Sequence, residues 1–163
     1  MNSIALHILS CHVPFVGGIF VLALLLLAWR RREPLLLEVA GYGVIAVALG
    51  SAIAWASGPA SLTALEVWVD SAGRDHADRH AGIGEIVMVI WGLAAFAALW
   101  GVILGRASRS SPRWHTPLLL TLVILGIGLA AWAGHEGGRI RHAELRDAPD
   151  IEPSAATRET VDR

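Results

Sequence analysis

Four long apolar runs, each about 18–25 residues and parted by short charged patches, constrain this chain more than any other feature. The first extends over about residues 6–29 and ends at Arg30, Arg31 and Arg32. The others cover about 37–56, 82–105 and 117–134, with Glu38 at the mouth of the second and Glu85 alone inside the third. A hydrocarbon core about 30 Å thick needs about 20 helical residues at 1.5 Å rise. Barrel strands alternate over about 10 residues, and these runs do not alternate. The reading is an all-α integral membrane four-helix bundle, residues 1–145, followed by a flexible polar tail over 146–163.

Composition agrees, since 55% of the residues are hydrophobic and 17% are charged. No basic stripe of the sort nucleic acid requires is present, so the expected partner is the lipid bilayer. The first run has no basic residue ahead of it and carries its Arg cluster after it, which predicts a retained helix and not a cleaved leader. Arg30–Arg32 follow helix 1, and Arg106, Arg109 and Arg113 lie between helices 3 and 4. Short Arg-rich loops stay cytoplasmic. Both termini and the 58–81 loop are therefore expected on the outer, periplasmic side of a multi-pass inner (cytoplasmic) membrane protein. Within that loop, the apolar residues of segment 60–72 fit a short helix lying across the outer mouth, or equally a plain amphipathic linker.

Small residues recur every four positions at Ala46, Gly50, Ala54 and Gly58, at Gly101 and Gly105, and at Gly134 and Gly138. Such spacing lets helix backbones approach closely in lipid. Cys11 is the single cysteine, so no intrachain disulfide forms, and it reads as a small hydrophobe.

Histidines carry the functional signal. His7 and His12 open helix 1, His76 and His80 precede helix 3, His135 closes helix 4, and His142 follows it. Alternating topology brings these six to one membrane face and leaves His115 on the other. Neutral imidazoles ligate haem iron, copper and zinc, and polar groups at membrane depth mark sites or pathways. His7 and His12, five residues apart, point about 140° apart on a helix, whereas His76 and His80 share a face if that stretch is helical. Gly137 and Gly138 put helical continuity between His135 and His142 in question. Glu85 is expected to face the bundle interior, be protonated or find a partner: bonded to the second nitrogen of a ligating histidine, on a proton path, or in a structural role capping or pairing with Arg79 or Arg139. Glu136 reads as the start of the solvated tail.

The opening His7-Ile8-Leu9-Ser10-Cys11-His12-Val13-Pro14, the Ala54–Gly58 end of helix 2, His80, and the closing Gly134–His142 segment resemble the DUF2231 family of predicted four-helix membrane proteins. The chain departs from that pattern at Ile8, Val13 and Ala143. The resemblance implies a small four-helix membrane protein of largely unassigned function, with relatives beside or fused to cytochrome-like redox domains, so that redox membrane proteins or cytochromes are the partners it suggests. It carries over His7, His12, His80, His135 and His142.

Together these observations predict a membrane b-type haem protein taking part in electron transfer, with His12 and His80 as axial pair and His135 as substitute. No C-x-x-C-H motif for covalent haem is present. The alternatives are a copper or zinc site on His12, His80 and His135 with neighbouring histidines, and a structural or assembly subunit without cofactor.

Overall fold

The computed structural model describes residues 2–107 and 112–146. Arg109 and residues 147–163, nearly all of the expected flexible tail, lie outside the described residues. Among the described residues the fold is built on four long helices: α1 (Ser3–Arg31), α2 (Pro34–Leu65), α3 (Ser71–Arg106) and α4 (His115–Arg141). No strand occurs among the described residues. All four are long and apolar enough to cross a membrane.

The helices are apolar around their whole circumference, which suits a lipid surround and not water. About a third or less of each apolar window is buried in the bundle, and large side chains such as Phe20, Leu49 and Phe96 (72% exposed) point outward. A soluble monomer rarely exposes so much contiguous apolar surface. Inside, Val21, Leu25, Val44, Val47, Ile83, Val87, Trp91, Leu119 and Val123 form one core.

The helices run 27 to 36 residues, well beyond the apolar stretches that mark them in the sequence. Hydropathy marks the part that matches lipid, whereas helix ends are set by caps and local hydrogen bonds. Segment 60–72 is accordingly not a separate interfacial helix. Helix α2 continues through Pro59 to Leu65, followed by a 3₁₀ turn at Glu66–Trp68. The hydroxyls of Ser57, Ser61 and Thr63 donate to the carbonyls of Ile53, Ser57 and Pro59 through this stretch. Helix α3 then starts at Ser71, where the Asp70 side chain caps it by accepting from Gly73 N at 2.7 Å.

Helix α1 contains a π turn at Val13–Gly17, with Pro14 at its start. Proline lacks the N–H that would continue an α ladder, and a π turn is one way to absorb that loss. Glycines on α1 and α2 close the gap beside it. A Cβ on Gly50 would lie 2.5 Å from Val13 Cγ1, and one on Gly17 would lie 2.9 Å from Val47 Cγ2. Of the small residues singled out by spacing, Gly50 and Gly101 thus sit in helix contacts, while Gly105 and Gly134 face open space.

Helix α4 does not break at Gly137 and Gly138 but continues to Arg141. Beyond it the chain folds back, and Arg146 donates to Arg139 O and Ile140 O, both at 2.8 Å. The same guanidinium grips Asp70 at 2.9 and 2.7 Å, tying the end of α4 to the start of α3. Arg146, together with the Gly73 amide, holds the Asp70 carboxyl below the usual carboxylate range. The clamp therefore contributes fully above the ordinary aspartate value of about 3.9 and is lost as pH falls through the lower folded value. The amide proton of Gly73 should report this by NMR as a titration with a midpoint below about 3.9, absent in Asp70→Asn. A midpoint at or above that value would contradict the clamp.

Candidate functional site

The start of α1 and the end of α4 lie at one end of the bundle, and there most of the histidines gather. Ser10, Pro14, Gly18, Val21 and Leu25 form the buried face of α1. At 100° per residue His7 lies about 60° from Ser10, whereas His12 lies about 160° from it. His7 consequently turns toward α2, where its Nδ1–H donates to Ala54 O at 2.8 Å. His12 is exposed, with Nδ1 on its own helix's Ile8 O at 2.7 Å.

His80 on α3 does the same across the bundle, its Nδ1–H donating to Ala133 O of α4 at 2.7 Å. Gly137 makes this possible, since a Cβ there would come within 3.0 Å of His80 Nδ1. The imidazoles of His7 and His80 then meet edge to face, centroids 6.0 Å apart and planes at 79°. Two side chains thus link all four helices.

These hydrogen bonds decide the chemistry of the rings. A carbonyl oxygen only accepts, so in each neutral ring the proton sits on Nδ1 and the lone pair on Nε2. A histidine that ligates iron or zinc through one nitrogen has its other N–H held in this way by a carbonyl or carboxylate. Both rings are partly buried, away from full hydration but within reach.

Next to this pair lies a buried ionic cluster. Glu136 of α4 (7% exposed) accepts from His76 Nδ1 at 2.7 Å and from Arg79 Nε at 3.3 Å, with Arg139 Nη1 at 4.0 Å from its other oxygen. His76 is one turn before His80, and Glu136 follows Ala133 by three residues, so the ion pair sets the register in which His80 reaches Ala133 O. From the sequence Glu136 reads as the start of the solvated tail, because it follows the last apolar run. The i,i+4 spacing of His76 and His80 was the available sign that this stretch of α3 is helical.

Other candidates are not brought to the pair. His135 is exposed on α4. His142, beyond the helix end, bonds Glu144 Oε1 at 2.7 Å. Glu85 does not face the interior. It is exposed because it lies two residues, about 200°, from each of the buried positions Ile83 and Val87. His115 is at the opposite end, 2% exposed. Among the described residues no three His, Cys, Asp or Glu side chains converge as a metal-binding group.

Two imidazoles with Nε2 lone pairs and no third converging ligand can serve an ion that brings most of its own ligands. They are a poor set for zinc, which takes three or four protein ligands. No family model, curated protein or solved structure matches the chain, so the likeness to DUF2231 rests on the motif residues alone.

Proposed function

We propose that this is a multi-pass protein of the inner (cytoplasmic) membrane, both termini on the outer side, that binds one b-type haem through His7 and His80 and passes electrons. The observation that carries the reading is the paired Nδ1–H donation to Ala54 O and Ala133 O, which gives both facing rings a free Nε2. His7 and His80 would be the residues that hold the group, each through the nitrogen its carbonyl contact leaves unused. Their rings lie 6.0 Å apart between centroids, so one group could engage both. Bound haem would supply one-electron chemistry, with a potential set by its axial ligands and surroundings.

This chain's residues supply position. Ala54 O and Ala133 O fix the tautomers, and the Glu136–His76 pair fixes the α3–α4 register. The likeness to DUF2231 favours redox membrane proteins or cytochromes as partners. The arginines at the opposite end, Arg30–Arg32 and Arg106, favour the cytoplasm for that side.

Protein purified after expression with ample haem should show a low-spin Soret band with about one haem per chain by pyridine haemochrome. Stoichiometric copper or zinc without haem would transfer the pair to a metal site, and neither would leave a cofactor-free assembly subunit. A periplasmic reporter that is active when fused after Arg32 and inactive when fused after Arg146 would reverse the orientation.

A further inference from the structure

At the end of the bundle opposite the histidine pair, the four helices leave a half-open groove of about 660 Å³ between them. We infer that this groove binds one anionic phospholipid, its phosphate on Arg32 and the upper part of one acyl chain between the helices. The inference rests on the bundle's lying in a bilayer and is independent of the haem reading.

Walls and mouth differ in chemistry. Along α3 the groove runs from Gly105 to Ala98, about 10 Å at 1.5 Å per residue, or a third of a hydrocarbon core. Ala28, Leu37, Val102 and Leu119 make the walls apolar, and a Cβ on Gly105 would meet nothing within 4 Å. Trp29, on the lining, and Trp114, next to His115 of the lining, are both exposed. Exposed indoles settle at headgroup level, which puts the mouth there and the walls in hydrocarbon. Apolar walls open at that depth favour an acyl chain over water.

Charge at the mouth selects the head. Arg32 lines the groove, and its φ of 53° is the one positive φ among the described residues. Glycine is the usual occupant of such a helix end, because a Cβ crowds the following carbonyl. A loop that needed basic residues only to fix topology could carry glycine here, with Arg30 and Arg31 beside it. Among the described residues no carboxylate pairs with Arg30, Arg31 or Arg32. The two acids of the lining are engaged elsewhere. Glu38 pairs with Arg106 at 3.1 Å, and Glu33 accepts from Leu35 N at 3.4 Å at the start of α2. Four arginines thus stand against two glutamates, and a guanidinium matches phosphate oxygens through paired N–H donors. A zwitterionic head would bring a cation of its own to this positive mouth.

The test is native mass spectrometry of the full-length protein, released from mixed micelles holding equimolar phosphatidylglycerol and phosphatidylcholine with the same acyl chains. One phosphatidylglycerol per chain should be retained in preference to phosphatidylcholine. Arg32→Gly suits the left-handed backbone and so keeps the fold. It should weaken retention about fivefold, the contribution of one arginine near a lipid surface. Arg32→Lys, which keeps the charge, should retain most of the binding. Gly105→Leu fills the groove and should abolish the preference. Glycerol phosphate, a head without tails, should not compete. Retention of neither lipid or of both alike, or retention unchanged in Arg32→Gly or Gly105→Leu, would overturn the site. Competition by glycerol phosphate would overturn a lipid as its occupant. Solubility of the protein without detergent would overturn the membrane reading itself.

Discussion

Replacing His7 with alanine, or His80 with alanine, should each abolish the low-spin haem spectrum, whereas His12→Ala and His135→Ala should leave it at wild-type strength. Each of the first two changes removes one of two neighbouring imidazoles, 6.0 Å apart between centroids, whose Nδ1 is held by a backbone carbonyl. Outer-shell changes at metal sites already cost about 10–100-fold in affinity, so loss of a direct ligand should cost about 100-fold or more. His12 and His135 are exposed, and His12 Nδ1 is engaged with Ile8 O of its own helix. Free imidazole added to His7→Ala should restore part of the low-spin band, because it can enter the space left by the side chain. That recovery separates ligand loss from misfolding. Glu85→Gln should leave spectrum and midpoint potential unchanged, as its carboxylate lies on the outer surface of α3. If the His12 variant loses the spectrum while the His7 and His80 variants keep it, the pairing proposed here is wrong.

What could be read from the residues, and what could not, divides along physical lines. The number of helices is legible because lipid imposes a minimum apolar length, and the four runs meet it. The gathering of His7, His76 and His80 at one end follows from antiparallel alternation alone. Which imidazoles touch depends on the rotation of each helix about its axis, and packing fixes that. His7 turns inward only because Ser10, Pro14 and Gly18 form the buried face of α1, and that face is shaped by a π turn and by Gly50 on α2. Hydropathy could not show this, as the helices are apolar all round. Glu136 reads from the sequence as the start of the solvated tail for a related reason. Two following glycines suggest a helix end in water, yet α4 continues through them, and the carboxylate is enclosed by His76, Arg79 and Arg139.

The second large effect is expected at the centre of the bundle, where Gly126→Ala should destabilise the fold and Gly128→Ala should not. Trp91 is 0% exposed, and its indole lies against the bare backbone of two helices. A Cβ on Gly126 would come 2.9 Å from Trp91 Cε2 and Nε1, and one on Gly18 would come 2.9 Å from Cζ2. A bicyclic ring held from both sides cannot retreat from an added methyl as a long flexible side chain would. Overpacking of this kind costs about 1–3 kcal/mol. Gly128 is two residues further along the same helix, and a Cβ there would meet nothing within 4 Å. Both substitutions gain the same helix propensity, about 1 kcal/mol relative to glycine in water, so that term cancels between them. The pair should therefore differ by about 1–3 kcal/mol, with Gly128→Ala the more stable. Reversible unfolding in mixed micelles, monitored by the loss of helical circular dichroism as denaturing detergent is added, would measure the difference directly. Equal stability of the two variants would mean that Trp91 is not wedged between α1 and α4. Since Trp91 sits between the His7–His80 end and the His115 end on the same helix α3, its loosening should also weaken haem retention in Gly126→Ala but not in Gly128→Ala.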